Sequence, residues 1–212
     1  MQSRTPAARL GRPRSTAAAT AILAATREAL VEVGWSRLTL GDVATRAGVA
    51  KTTLYRRWSG KNELVVDAVA ELFDELELPD RGSLAADIEG VVLQFAAILA
   101  RPEARSGLMA VVAESTRDDA LRERIRTSIV ERQKRLVVQG RSRAQKRGEL
   151  PPETDPEEAA RTVDLIFDIV AGSVVHRCLV SSEPADTAWV RSLTRVLLLG
   201  LAGAVGETGG SA

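Results

Sequence analysis

A short segment of the sequence, residues 49–59, carries hydroxyl and guanidinium side chains that repeat at a spacing of four residues. Thr52 pairs with Arg56 and Thr53 with Arg57 at this spacing, so in a helix all four would point to one side. Small hydroxyl groups allow a helix to lie deep in a groove, and arginine can bond guanine O6 and N7 or a phosphate oxygen. The pattern therefore predicts a helix that contacts base edges in the major groove of DNA.

The apolar residues of the same segment predict its opposite, buried face. Leu54 and Trp58 lie one helical turn apart, and Val49 precedes them just after Gly48. Three helices with a tight turn between the second and the third form a helix-turn-helix, in which the third helix enters the major groove. The sequence predicts such a unit near its N-terminus.

Four further polar residues are candidates for contacts to DNA phosphates. Lys51 opens the predicted recognition helix and Lys61 opens the next, where backbone N–H groups and the helix dipole favour an anion. Tyr55 and Thr39 each offer a hydroxyl that could bond a phosphate. The competing interpretation of each residue is a plain helix cap or a solvated charge.

A basic arm precedes the first predicted helix. It contains Gly11, Arg12, Pro13 and Arg14, and a narrow A·T-rich minor groove attracts inserted arginine. We expect Arg12 and Arg14 to lie in that groove, and the alternative is a flexible basic tail without base preference.

The charge of the chain is unevenly distributed along it. The formal net charge is only +1, but residues 1–62 contain eleven Lys or Arg against three acids, a net +8, while the remaining 150 residues contain 18 against 25, a net −7. A basic head on an acidic body indicates one end that faces a polyanion.

Capping residues, glycine stops and apolar periodicity of about 3.6 residues predict helices throughout the chain, without a strand pattern. The predicted helices lie at about 15–33, 39–48, 51–58, 61–78, 83–100, 102–113, 118–146, 156–180 and 186–205.

We therefore predict an all-α fold in which a three-helix helix-turn-helix head joins a larger C-terminal body for ligand binding and dimerisation. The predicted organisation is a flexible arm at 1–14, the DNA-binding domain at 15–62, the body at 63–206 and a disordered tail at 207–212.

The head resembles the DNA-binding domain of the TetR family of transcription regulators over residues 15–64. The resemblance is carried by Thr39-Leu40, Val43-Ala44, Ala47-Gly48-Val49, Lys51, Leu54-Tyr55-Arg56, Trp58 and Lys61 to Leu64. Two residues depart from the family pattern: Ala50 stands where a capping Ser or Thr is usual, and Gly41 lies in the first turn of the second helix. A missing cap costs about 0.5–2 kcal/mol.

Two C-terminal helices predict a dimer. Residues 156–180 and 186–205 are apolar on most of their faces, and such helices must be covered on more than one side. We expect them to pack against their symmetry mates in a four-helix contact, as the resemblance also implies, and the alternative is an ordinary core pair. The expected interface residues are Ala171, Gly172, Val190, Leu193, Leu197, Gly200 and Leu201.

The resemblance further implies a pocket in the body for a small-molecule effector that releases the protein from a pseudo-palindromic operator. Candidate lining residues are Phe73, Phe95, Met109, Phe167 and His176, each of which could instead be plain core. Neither the effector nor the operator can be identified from the sequence.

Other classes of protein are disfavoured. No nucleophile, general base or metal-ligand set converges in the sequence, so we expect neither an enzyme nor a cofactor or metal.

The single Cys178 fits a reducing compartment, and the longest apolar run near the C-terminus has ten residues against roughly 20 for a bilayer span, so we expect a cytoplasmic protein. Two alternatives stay open: a helical adaptor whose basic head binds an acidic partner, and a non-specific DNA-binding protein.

Overall fold

The computed structural model describes residues 13–153 and 155–207, and within them the chain forms eleven α-helices and no strand. The predicted all-α fold is confirmed. Arg12 and residues 208–212 of the predicted tail lie outside the described residues.

Five helices build the N-terminal part of the fold. They are α1 (Pro13–Glu32), α2 (Gly34–Arg37), α3 (Leu40–Arg46), α4 (Lys51–Tyr55) and α5 (Lys61–Phe73). Helix α1 begins at Pro13, two residues before the start predicted at about residue 15. Proline is favoured in the first turn of a helix because it needs no partner for an N–H there. The backbone of Arg14 therefore belongs to α1 rather than to a separate arm.

Local signals fix the ends of these helices. Thr39 caps α3: its Oγ1 accepts a hydrogen bond from the Asp42 backbone N–H at 3.2 Å and donates one to Asp42 Oδ2 at 2.6 Å. Gly34 and Gly48 have φ values of +73° and +65° in the turns after α1 and α3. Because glycine lacks Cβ, it adopts this left-handed conformation without strain. These helices thus have a capping residue and glycine stops, as the sequence predicts in general.

The remaining helices form the body. They are α6 (Leu84–Ala100), α7 (Pro102–Ser115), α8 (Asp119–Ile125), α9 (Glu131–Lys146), α10 (Pro156–Val175) and α11 (Thr187–Glu207).

Two π-helical turns interrupt segments that the sequence predicts as continuous α-helices. Arg126–Val130 joins α8 to α9, and His176–Val180 follows α10. A π turn inserts a wider hydrogen-bonded ring and often occurs at functional positions. Apolar periodicity could not reveal it, because the residue types on either side of the turn are ordinary helix formers.

The head and the body share one core. Helix α5 packs against both α1 and α7, while α11 packs on α6 and α10 packs on α6 and α9. Val65, Val66 and Val69 of α5 are fully buried. Movement of α5 relative to the body would therefore disturb the packing of the head.

Candidate nucleic-acid interface and apolar cavity

The segment 51–58, which consists of α4 and the turn that follows it, has one buried and one exposed side, as a recognition helix requires. Leu54 and Trp58 are buried at 0% and 1% exposure, so they anchor the segment to the head. Thr52, Arg56 and Arg57 lie on the exposed side. The outward groups are therefore available to a DNA groove.

The other candidate residues of this segment differ in exposure. Tyr55 is 54% exposed, and Thr53 is half-buried. Arg57 lies over the Trp58 ring, with Cζ 5.3 Å from the ring centroid, so its guanidinium is oriented by a cation–π contact. Arg56 has no such contact in the described part of the chain and is the arginine that can extend freely.

Lys51 lies at the junction of the second and third helices of the motif. It is exposed, and a Cβ built on Gly41 would stand 3.3 Å from both Cε and Nζ of Lys51. The unusual Gly41 therefore makes room for the lysine side chain. Ala50 provides no side-chain cap for α4, as its type predicts.

Lys61 has a clear contact within the protein. Its Nζ donates a hydrogen bond to the Trp35 carbonyl oxygen at 3.0 Å and lies 4.3 Å from the Trp35 ring centroid. The ammonium group thus joins the start of α5 to α2. Thr39 is exposed, but its hydroxyl is engaged with Asp42 as described above. The side chain of Arg14 lies outside the described residues.

The body encloses a cavity of about 280 Å³ between helices α5 to α11. Three of the candidate lining residues meet there: Phe73, Phe95 and Phe167. The Phe73 and Phe95 rings form an edge-to-face pair with centroids 5.7 Å apart. The remaining two candidates, Met109 and His176, are exposed and do not line this cavity. Helix periodicity does not fix which way an isolated side chain faces.

The polar residues at the cavity wall have partners in the protein. Asp87, which is fully buried, accepts hydrogen bonds from Arg147 Nη2 at 2.9 Å and from the Arg81 backbone N–H at 2.7 Å. Gln133 Nε2 donates to the Phe73 carbonyl oxygen at 3.0 Å. Arg141 is paired with Glu153 at 2.9 Å. The wall is otherwise apolar, so it suits a ligand with little need for polar partners.

Most of the lining residues were not singled out by the sequence. They come from the charge-dense segment 118–146 and from α6, α10 and α11, and they include Val91, Ile129, Val130, Leu136, Val137, Ile166 and Val170. Their apolar periodicity indicated a buried face. It could not distinguish a cavity wall from a filled core.

Comparison with known proteins identifies the family. A family model described as the tetR family of bacterial regulatory proteins matches residues 22–68, and one described as the tetracyclin repressor-like C-terminal domain matches residues 78–197. The chain belongs to the TetR family. The resemblance predicted from the head is confirmed, and it extends through the body. The family is one of transcription regulators rather than of enzymes.

Relatives of this TetR-family chain match it over most of their length. The HTH-type transcriptional regulator YdeS of Bacillus subtilis is 29% identical over 86% of this chain and 89% of its own. The DNA-binding transcriptional repressor TetR of Mycobacteroides abscessus is 30% identical over 84% of this chain and 90% of its own.

Solved structures of transcription regulators have the same fold. The transcription regulator SCO0332 superposes with a TM-score of 0.69 at 30% identity, covering 86% of this chain and 97% of its own. FadR from Bacillus subtilis, solved in complex with stearoyl-CoA, superposes with a TM-score of 0.63 at 16% identity, covering 84% and 97%.

The TetR-family body exposes an apolar face on its last two helices. Leu165 is 59% exposed on α10, and Val196 and Leu199 are 67% and 68% exposed on α11. Exposed apolar residues grouped on one face are typical of a protein contact.

Some of the residues predicted for the dimer contact are exposed on α10 and α11, and the others are buried inside the protomer. Val190 and Leu197 are buried in the core of the protomer, Leu193 packs against that core, and Ala171 and Leu201 line the cavity. Gly172 and Gly200 are exposed. The sequence shows that α11 has two apolar faces. The packing on α6 decides which of them turns inward.

Among the described residues, none of the helices combines the length and the apolar character that a bilayer span requires. No group of three or more His, Cys, Asp or Glu side chains suited to a metal ion occurs within 13–153 and 155–207.

Proposed function

We propose that this TetR-family protein is a ligand-responsive repressor that binds a pseudo-palindromic operator as a homodimer and is released by a small molecule. The observation that carries the proposal is the amphipathic segment 51–58, in which Thr52 and Arg56 are exposed on the side opposite the buried Leu54 and Trp58. A dimer with two-fold symmetry would place two such helices about 34–36 Å apart, one turn of DNA. Because its target is the chromosome, the proposal places the protein in the cytoplasm.

The proposed DNA contacts fall into two groups. Thr52, Thr53 and Arg56 are the candidates for base edges. Lys51, Tyr55, Arg57, Thr39 and Lys61 are the candidates for phosphates, with Arg12 and Arg14 for the minor groove. Because Lys61 and Thr39 also bond within the protein, their contribution to DNA binding would be partly through the shape of the head.

The proposed effector is a neutral, mainly apolar molecule. Burial of a charged group without a partner is costly, and the polar residues on the cavity wall are already paired. A cavity of 150 Å³ accepts benzene, so the cavity of about 280 Å³ suits roughly ten to fifteen non-hydrogen atoms. FadR of Bacillus subtilis, in complex with stearoyl-CoA, provides an example of a protein of this fold with an apolar chain in its ligand.

The proposed dimer uses the exposed apolar face of α10 and α11, including Leu165, Ile169, Val196 and Leu199. Gly172 and Gly200, exposed on the same helices, would permit close approach of the symmetry mates.

Selection of bound duplexes from a random pool by the purified protein tests the proposal. We expect an enriched pseudo-palindrome, with specific affinity at least about 10³-fold above non-specific affinity. Arg56→Ala is expected to relax the sequence preference, and Lys51→Ala to weaken all duplexes and flatten the salt dependence. Arg135→Ala is the matched control, since it removes one exposed arginine from α9.

The alternatives give different results in the same experiment. A specificity ratio near one with a steep salt dependence would indicate a non-specific DNA-binding protein. No affinity for any duplex, together with binding to an acidic protein, would indicate an adaptor.

A further inference from the structure

One carboxylate joins the end of the recognition segment to the body. Asp67 Oδ2 on α5 accepts a hydrogen bond from Trp58 Nε1 at 2.8 Å. The same carboxylate accepts from Arg124 Nη2 on α8, at 2.9 Å to each of its oxygens. Trp58 is buried directly after α4, so the position of its ring determines where α4 lies on the head. Arg124 and Trp58 therefore hold the two sides of one hydrogen-bonded bridge.

The body end of this bridge adjoins the cavity. Ile125, the residue after Arg124, lines the cavity, and so do Ile129 and Val130 of the π-helical turn that follows. A π turn has one more residue in its hydrogen-bonded ring than an α turn. If the turn relaxes or moves along the helix, α8 rotates and shifts relative to α9. A molecule that presses on Ile129 or Val130 thus acts on the element that sets the position of Arg124.

Arg124 is not fully bonded in its present position. Its Nε is buried and, within residues 13–153 and 155–207, has no hydrogen-bond partner. A buried N–H without a partner is unfavourable, so this arrangement holds α8 less firmly than a fully bonded guanidinium would. A shift of α8 would stretch or break the contact between Arg124 and Asp67.

We infer that Asp67 and Arg124 are positioning residues for the recognition helix, and that a ligand filling the cavity disturbs α4 by moving the π turn at Arg126–Val130. The inference rests on the proposed function, since it supplies the path by which an effector would change DNA affinity. A ligand in the cavity displaces Arg124. The Asp67 carboxylate then either moves with Arg124 or loses its hydrogen bonds from it, and in both cases Trp58 Nε1 no longer has an acceptor in a fixed position.

A double-mutant cycle on the whole chain tests the path without an identified effector. Val130→Phe enlarges a side chain of the π turn towards the cavity and serves as a substitute for ligand. We expect it to lower affinity for the selected duplex by about 5- to 150-fold, the usual range of allosteric coupling. In an Arg124→Gln background, where the bridge is absent, the same substitution should change affinity by less than about 2-fold.

The control background is Arg132→Gln. Arg132 pairs with Asp74 at 2.6 Å and also links α9 to the end of α5, but it makes no contact with Trp58. Val130→Phe should keep its full effect there. If Val130→Phe weakens duplex binding equally in the Arg124→Gln background, or has no effect in the wild-type chain, the inference is overturned.

A second readout observes Trp58 itself. The chain has three Trp residues, and Trp58→Phe assigns the ¹H–¹⁵N indole signal of Trp58. Titration with 1-naphthylamine, a neutral and mainly apolar fluorophore, should shift that signal in the wild-type chain and in Arg132→Gln, and leave it unmoved in Arg124→Gln. The fluorescence of the probe should report a similar affinity for the probe in the wild-type chain, in Arg132→Gln and in Arg124→Gln. An indole signal that stays unmoved at saturation in the wild-type chain overturns the inference.

The two readouts separate failure of the inference from failure of the proposed function. If selection yields no specific duplex, the proposed function fails, but the Trp58 signal still tests the bridge. If the probe releases a specific duplex from wild-type protein and from Arg124→Gln alike, the proposed function stands and the bridge does not carry the effect.

Discussion

The ammonium group of Lys61 lies over the indole ring of Trp35, with Nζ 4.3 Å from the ring centroid and 3.0 Å from the Trp35 carbonyl oxygen that accepts its hydrogen bond. A residue that the motif assigns to DNA phosphate thus also links the start of α5 to α2. Its substitution should therefore affect folding as well as binding.

We expect Lys61→Ala to lower the free energy of unfolding by about 1–3 kcal/mol, because a cation–π contact and a hydrogen bond each contribute about 0.5–1.5 kcal/mol. Lys51→Ala, at an exposed position, should change it by less than about 0.5 kcal/mol. Urea unfolding measures both, and duplex affinity should fall in both variants. Equal stability of the two variants would show that the Trp35 contact contributes nothing.

Close packing of α7 on α5 predicts a large cost for a small substitution. A Cβ on the buried Gly107 would lie 2.5 Å from Val69 Cγ2 and 3.2 Å from Leu30 Cδ1. Since the neighbours are themselves buried, Gly107→Ala should lower the free energy of unfolding by about 1–3 kcal/mol. Ala113→Ser on the exposed side of the same helix is the control. A Gly107→Ala protein as stable as wild type would mean that α7 can shift without cost.

The exposed apolar face predicts where dimerisation fails. Val196→Glu combined with Leu199→Glu would place two charges in an apolar contact, which is unfavourable without partners. We expect self-association to weaken by more than about 10-fold, which corresponds to about 1.4 kcal/mol, with the helical content unchanged. Sedimentation velocity measures this. Val138→Glu, an exposed apolar position on α9, should leave the dimer intact, and a dimer unaffected by the double substitution would place the interface elsewhere.

The turn before α5 predicts a pH dependence. The Ser59 backbone N–H donates a hydrogen bond to Glu63 Oε2 at 2.9 Å. This bond lowers the pKa of Glu63 below its ordinary value of 4.5, with a smaller lowering by the Arg124 charge against an opposing effect of burial. The folded state thus binds this proton only at lower pH than the unfolded chain does. The bond therefore stabilises the fold above about pH 4.5 and its contribution is lost as the pH falls through the lowered pKa.

Glu63→Gln tests this dependence. Its urea midpoint should lie below that of wild type at neutral pH, and the difference should shrink as the pH falls below 4.5. Glu114→Gln, which removes one exposed charge from α7, is the control. A difference that grows on acidification would contradict the assigned role of Glu63.

Features that depend on neighbouring residues could be read from the sequence. The Thr39 cap needs only Asp42 three positions on, and Gly48 turns left-handed because of its own missing side chain. The burial of Leu54 and Trp58 follows from their spacing along one helix face. The helix-turn-helix and the TetR-family membership were predictable for that reason.

Features that depend on which helices pack against each other could not be predicted from the sequence. Leu197 and Leu199 are both apolar and two positions apart on α11, yet Leu197 is buried and Leu199 is exposed. Phe167 lines the cavity while Met109 does not. Periodicity gives the angle between side chains on a helix, but the rotation of that helix against its neighbours is a property of the whole core.

The sequence by itself determined the helices, the basic head and the chemistry of the recognition segment, because charge, capping and period are properties of adjacent residues. Only the tertiary structure decided that the Asp67 carboxylate lies between Trp58, nine positions away in the chain, and Arg124, 57 positions away. Such a contact forms when packing of α5 against α8 brings distant segments together, and no local pattern encodes that distance.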